Sequence, residues 1–214
     1  MAEWLNSTFY NLDRSVFLAM HDLCLSAGRF FTPLFKVITF LGNGGWAFLV
    51  LGAILLLFKK TRKIGLCVLL AIGCGALITN VTLKNLVARE RPYIASDEYF
   101  NFWQLAKGAV ESEKSFPSGH ATVTMASMMA VFLTANKKWS WVGLFFALIM
   151  GITRLYFIVH YFTDVFVGLL VGALAGVIGY FITKALFSAF EKRKEKKAFN
   201  FILNADITDI LKKK

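Results

Sequence analysis

Five long apolar runs dominate this chain, at roughly residues 43–60, 64–83, 119–135, 140–159 and 165–187. Each approaches the roughly 20 residues that a helix needs to cross about 30 Å of hydrocarbon. In lipid, every backbone N–H and C=O must be satisfied within its own segment, so runs of this length predict helices. The expected fold class is all-α, a polytopic membrane helix bundle with five transmembrane helices. Composition agrees: 57% of the 214 residues are apolar, too many for an ordinary water-soluble domain. The start of the first run is open, because Gly42, Gly44 and Gly45 either begin a helix or lie inside one that starts near Val37.

The flanks differ in character. Residues 3–41 mix apolar side chains with Asp13, Arg14, His21, Asp22, Arg29 and Lys36, too polar for a span but suited to helices lying at the interface. One membrane-embedded domain is therefore expected over 1–190, with an interfacial arm at 1–42 and a loop at 93–116. A basic amphipathic tail follows at 191–214, with Phe199, Phe201, Ile202, Leu203, Ile207, Ile210 and Leu211 spaced among polar residues. No N-terminal stretch joins a basic start, an apolar core and a small-residue cleavage site, so the first span is expected to direct insertion. Cys24, Cys67 and Cys74 suggest no disulfide framework.

A net charge of +11 could point to nucleic acid, but its distribution points to the membrane. Residues 59–63, 136–139 and those after 183 hold 15 Lys and Arg against four acids, which accounts for the whole excess. The remainder holds nine of each sign. The positive-inside bias then places those segments and the C-terminus in the cytoplasm and the 84–118 segment outside. A multi-pass protein of the cell membrane is expected, with the bilayer as its partner and no nucleic acid.

Three reactive clusters fall at the outward ends of spans. In Lys84-Asn-Leu-Val-Ala-Arg-Glu-Arg91-Pro92, Lys84 and Arg91 are seven apart and would share one side of a helix that Pro92 stops. Two such cations suit a phosphate, although taken alone they read first as interfacial side chains snorkelling to water. In Phe116-Pro117-Ser118-Gly119-His120, Pro117 suits a first helical turn, Gly119 permits close backbone approach, and free N–H groups make an anion site. A plain helix cap would look the same. In Thr153-Arg154 through His160 to Asp164, a turn between spans must bring Arg154 and His160 together. His160 and Asp164, i and i+4 on the next helix, could touch. A carboxylate on one imidazole nitrogen leaves the other free to attack, whereas the plainer reading is a buried His–Asp pair kept for stability.

Together these residues have the charge to hold a phosphoryl group and the acid–base groups to move it. No other cluster of Asp, Glu, His and Cys has ligand spacing, so metal-independent catalysis without a cofactor is expected. A phosphate transporter or anion channel is the alternative of another class, but binding needs only cations and not an acid–base pair with an oriented nucleophile. A silent scaffold would be indifferent to changes at His160. Gly168, Gly172 and Gly176 read as close packing within the bundle in preference to a dimer seam. Tyr93, Tyr99, Phe100, Phe102 and Trp103 could let the 93–116 loop cover the site or dip into the interface.

At these positions the sequence resembles the type 2 phosphatidic acid phosphatase superfamily, whose signature is Lys-x6-Arg-Pro, Pro-Ser-Gly-His and Ser-Arg-x5-His-x3-Asp. All three parts occur in order, with Thr153 in place of the usual Ser. The resemblance implies a six-helix core, against five spans plus the arm counted here. It implies that His160 attacks phosphorus, Asp164 orients it and His120 protonates the leaving oxygen. Lys84, Arg91, Arg154, Ser118 and the Gly119 amide would hold the phosphoryl oxygens, with Thr153 and Pro117 in secondary roles. The implied substrate is a lipid phosphate or pyrophosphate, such as undecaprenyl pyrophosphate, phosphatidylglycerol phosphate or phosphatidic acid, and the charge-derived topology puts it at the outer leaflet. The superfamily's haloperoxidases are soluble, which five spans argue against.

Overall fold

A computed structural model describes residues 1–211, so the last residues of the expected tail, 212–214, lie outside the described residues. Among the described residues all regular structure is helical. In chain order the α-helices are α1 (Ala2–Thr8), α2 (Tyr10–Gly42), α3 (Trp46–Leu57), α4 (Arg62–Ala76), α5 (Lys84–Val87), α6 (Pro92–Ala95), α7 (Asp97–Ala106), α8 (Gly119–Thr134), α9 (Lys137–Tyr156), α10 (Phe162–Lys192), α11 (Lys197–Asn204) and α12 (Ile207–Leu211). A π-helix, Leu77–Leu83, joins α4 to α5. The segments Tyr10–Leu57, Arg62–Ala95, Lys137–Tyr156 and Phe162–Lys192 are long and apolar enough to cross a membrane. The fifth expected span, α8, is apolar but only 16 residues long, about 24 Å.

Small residues build the centre of the bundle. A Cβ on Gly172 would lie 2.5 Å from the Thr122 carbonyl oxygen, and one on Gly176 2.6 Å from Met129 Cβ. Only glycine lets α10 approach α8 this closely, so the glycine series packs inside the chain's own bundle. Cys67, Val68 and Ala71 of α4 meet Ala126 and Ala130 of α8 and Ala175 of α10 in one buried cluster. Outward, Val50, Ile54, Phe145, Leu148, Phe166, Leu170, Leu174 and Phe181 are exposed. Apolar outside and small-residue inside is the pattern of a bundle solvated by lipid.

The glycines before α3 open that helix: Gly44 and Gly45 take φ of 55° and 71°, and α3 begins at Trp46. The helix α2 is broken at Ala27 (φ −136°, ψ 17°). Thr32 and Thr39, two turns apart on it, bond Tyr156 and Thr153, which are one turn apart on α9. Gly42 lies against Met150 as well, so the end of α2 runs antiparallel beside the end of α9. The tail forms two short helices, α11 and α12. Arg62 holds it through the Ile202 carbonyl at 2.6 Å, and the Lys59 N–H donates to Asp206 at 2.9 Å.

Candidate active site

The C-terminal ends of α5 and α9 and the N-terminal ends of α8 and α10 meet at one end of the bundle. There a cavity of about 290 Å³ is lined by Lys84, Arg91, Gly119, His120 and His160. The two histidines and two of the expected cations therefore share one space. The cavity continues between α4 and α8 to Gly75, Ile72 and Val123. Ile72 lies 12 residues before Lys84, more than two helical turns toward the middle of the bundle, so the cavity has a cationic mouth and an apolar floor.

Lys84 and Arg91 converge by a different route from the helical register expected. The helix stops at Val87, because Ala88 adopts the left-handed conformation (φ 50°). Arg91 is extended (φ −76°, ψ 150°), as the residue before a proline tends to be. Pro92 starts α6 at its first turn instead of stopping a helix. The Arg91 guanidinium donates to the Val159 carbonyl at 2.9 Å and to the Glu113 carbonyl at 2.8 Å. The first bond ties the extended residue to the turn that carries His160, the second to the loop after α7.

His160 is also placed differently from its expected helical position. It precedes α10, whose N-cap is Tyr161, and Asp164 lies in the first turn, where it accepts the Tyr161 N–H at 3.0 Å. A carboxylate there satisfies a free helix-start donor. His160 Nδ1 sits 3.6 Å from Asp164, with Ser115 Oγ 3.5 Å from the same nitrogen and donating to the carboxylate. Asp164 thus reaches the imidazole with Ser115 beside it. Arg91 Nη1 lies 3.2 Å from His160 Nε2. Arginine can only donate, so Nε2 carries the lone pair and Nδ1 the proton. Burial first, then Arg91, Arg154 and Lys84, hold the His160 pKa well below the usual histidine value. Both disfavour the imidazolium, and the nitrogen that carries the lone pair faces Arg91.

His120 opens α8 as its second residue, and its Nε2 faces Asn43 Oδ1 at 2.9 Å. Ser118 is the N-cap, and its buried Oγ has no protein partner. A buried hydroxyl left so is suited to an incoming acceptor. Pro117 stands outside the helix, following a cis bond from Phe116, and is not in the first turn as expected. Arg154 does not line the cavity itself; it reaches the lining through Glu111 and bonds Thr39 at 3.0 Å. Its buried Nε is unpartnered. The Thr153 hydroxyl bonds the Met150 carbonyl at 2.7 Å and Thr39 at 2.9 Å, directed to α2 and not to the cavity.

The loop after α7 contributes what the motifs did not signal. Glu111 pairs with Arg154 and lies 3.6 Å from Arg91, while Glu113 pairs with Lys84. Two carboxylates therefore occupy the cations expected to hold phosphate. Their signal was present as acids in an otherwise charge-balanced loop, but nothing in their spacing named the partners. Ser115, Asn43 and Arg89 were missed for the same reason. His21 stacks on Phe102, 4.1 Å between ring centres, away from the site. Among the described residues no three of His, Cys, Asp and Glu are grouped to hold a metal ion.

Comparison with known proteins adds independent observations. The sequence profile of the PAP2 superfamily matches residues 62–188, which include all three clusters. An undecaprenyl-diphosphatase of Sulfolobus acidocaldarius is 32% identical over 122 residues, 56% of each chain; the match spans little more than half of that relative. The crystal structure of Aquifex aeolicus LpxE superposes with a TM-score of 0.65 at 23% identity, covering 78% of this chain and 94% of that one, a likeness of fold. A transmembrane PAP2 type phosphatidylglycerolphosphate phosphatase from Bacillus subtilis superposes at 0.60 with 27% identity, covering 89% of each chain.

Proposed function

The chain belongs to the PAP2 superfamily, and on that premise we propose that it is a membrane lipid phosphatase working through a phosphohistidine. The observation that carries this reading is the His160 lone pair, facing Arg91 at 3.2 Å inside the cavity that His120 also lines. His160 Nε2 attacks phosphorus, the bond from phosphorus to the lipid oxygen breaks, and His120 gives that oxygen its proton. Water then attacks the phosphorus on His160 and His120 takes the water's proton. Inorganic phosphate leaves, with both histidines restored. Lys84, Arg91, Arg154, the Ser118 hydroxyl and the Gly119 N–H stabilise the charge on the phosphoryl oxygens. No step requires a metal.

The cavity favours a lipid, because its floor at Ile72 and Val123 lies in the apolar part of the bundle. Candidates are a polyprenyl pyrophosphate, phosphatidylglycerol phosphate and phosphatidic acid. The basic segments 59–63 and 136–139 and the tail favour a cytoplasmic C-terminus, with the site at the outer face. In this reading the arm 1–42 lies in the outer interface, and the tail lies on the inner one.

The test is phosphate release from these three lipids by the purified chain in detergent with EDTA. At least one is expected to be hydrolysed at full rate with chelator present. Release from none of them, or release that stops with EDTA, would end the proposal.

Glu111 must give up Arg154 and Arg91 before a phosphate can settle there. Substituting Glu111→Gln is accordingly expected to tighten inhibition by inorganic phosphate about tenfold, roughly one lost competing ion pair. An unchanged inhibition constant would mean that the carboxylate and phosphate do not compete.

A further inference from the structure

Arg89 is fully buried, yet the proposed chemistry gives it no task and it does not line the cavity. Its guanidinium nonetheless touches the machinery. Nη1 donates to Asp164 Oδ1 and to Thr163 Oγ1, both at 2.7 Å, and the guanidinium lies 3.5 Å over the Tyr161 ring. Its backbone acts too: the Arg89 carbonyl accepts the Ser115 N–H at 2.8 Å. Ser115 Oγ in turn donates to Asp164 Oδ2 and faces His160 Nδ1. One residue therefore fixes both oxygens of the carboxylate behind the nucleophile. The far side of the fork is held by the N-terminal helices. Nη2 donates to Asp13 at 3.0 Å and Nε to Asn6 at 2.7 Å.

We propose that Arg89 is a positioning residue for His160, acting through Asp164 and Ser115, and that Asp13 and Asn6 orient Arg89 in turn. Two buried carboxylates around one guanidinium leave a net negative charge on the far side of the imidazole. That is where positive charge grows as Nε2 bonds phosphorus, so the arrangement favours the transition state over the resting site. Without Arg89, Asp13 and Asp164 would repel each other across a dry interior, and one would take up a proton. A lysine keeps the charge but cannot span Asn6, Asp13 and Asp164 together, because that needs a planar fork of donors. The arm that precedes the motifs is thereby part of the catalytic apparatus. Since Arg89 does not line the cavity, its loss affects the chemical step and not substrate binding.

The inference rests on His160 as nucleophile, so His160→Ala is measured beside the test variants. Parent, His160→Ala, Arg89→Lys, Arg89→Met and Asp13→Asn are purified in full length and assayed on one lipid phosphate, with elution profile and thermal midpoint recorded. Arg89→Met is expected to lower kcat about 100-fold with KM within about twofold, as for a misplaced reacting group. Arg89→Lys and Asp13→Asn should each lower kcat about tenfold, again at constant KM. If Arg89→Met does not fold, the other two decide by the same split. Values of kcat within about threefold of parent in both, or KM rising as kcat falls, would overturn the proposal. Turnover in His160→Ala would remove the nucleophile itself and the present inference with it, whereas a silent His160→Ala beside normal Arg89→Lys and Asp13→Asn would sink this inference alone.

Discussion

Turnover by the His160→Ala protein is expected to fall about 10⁴-fold or more, the scale of losing the attacking group of a covalent mechanism. The cations and Ser115 around it cannot replace it. Lys84, Arg91 and Arg154 carry no free electron pair as cations, and the Ser115 hydroxyl is already given to Asp164. In the proposed mechanism the ring attacks without first losing a proton, because Nε2 already carries the lone pair that faces Arg91. Rapid alkaline quenching of the parent with labelled substrate should trap a base-stable, acid-labile label. The same quench of His160→Ala should trap none. A label surviving in that variant would move the nucleophile elsewhere.

Loss of His120 should cost about 10²- to 10⁴-fold in kcat, the usual range for a general acid or base. The more specific expectation concerns the leaving group. The aryl oxide of an activated aryl phosphate departs without a proton, so His120→Ala should form the phosphoenzyme from that substrate at close to the parent rate. Hydrolysis of that intermediate still needs a base, and the label should therefore accumulate in His120→Ala while phosphate release stalls. Equal losses on lipid and aryl substrates, with no build-up of label, would show that His120 serves neither proton transfer. Asn43, 2.9 Å from Nε2, holds the ring with its other nitrogen free for this work.

How much of this was legible in the sequence varies with the length scale of the interaction. Span length and charge asymmetry are properties of single segments, so the helical bundle could be read directly from runs such as 165–187 and from the basic groups at 59–63. The three clusters could be assigned to one end because alternate spans reverse direction. Local geometry was less accessible. The heptad spacing of Lys84 and Arg91 suggested a shared helix face, but Ala88 turns left-handed and Arg91 extends before Pro92. Likewise the i,i+4 spacing of His160 and Asp164 suggested one helix, whereas Asp164 caps the helix start and leaves His160 just outside it. In both cases the right residues meet by a turn in place of helical register.

The partners that complete the site come from far along the chain. Asp13 with Arg89, Glu111 with Arg154 and Asn43 with His120 are separated by 76, 43 and 77 residues, distances over which no pattern of spacing carries information. The sequence by itself determined a lipid-solvated helical bundle and the end of the bundle where the three clusters gather, because hydrophobic length and charge bias act segment by segment. Only the tertiary structure decided which cation faces which carboxylate and which imidazole nitrogen is free. Those choices follow from burial, where a charge excluded from water must find its counter-charge in whatever element the packing brings within hydrogen-bond reach.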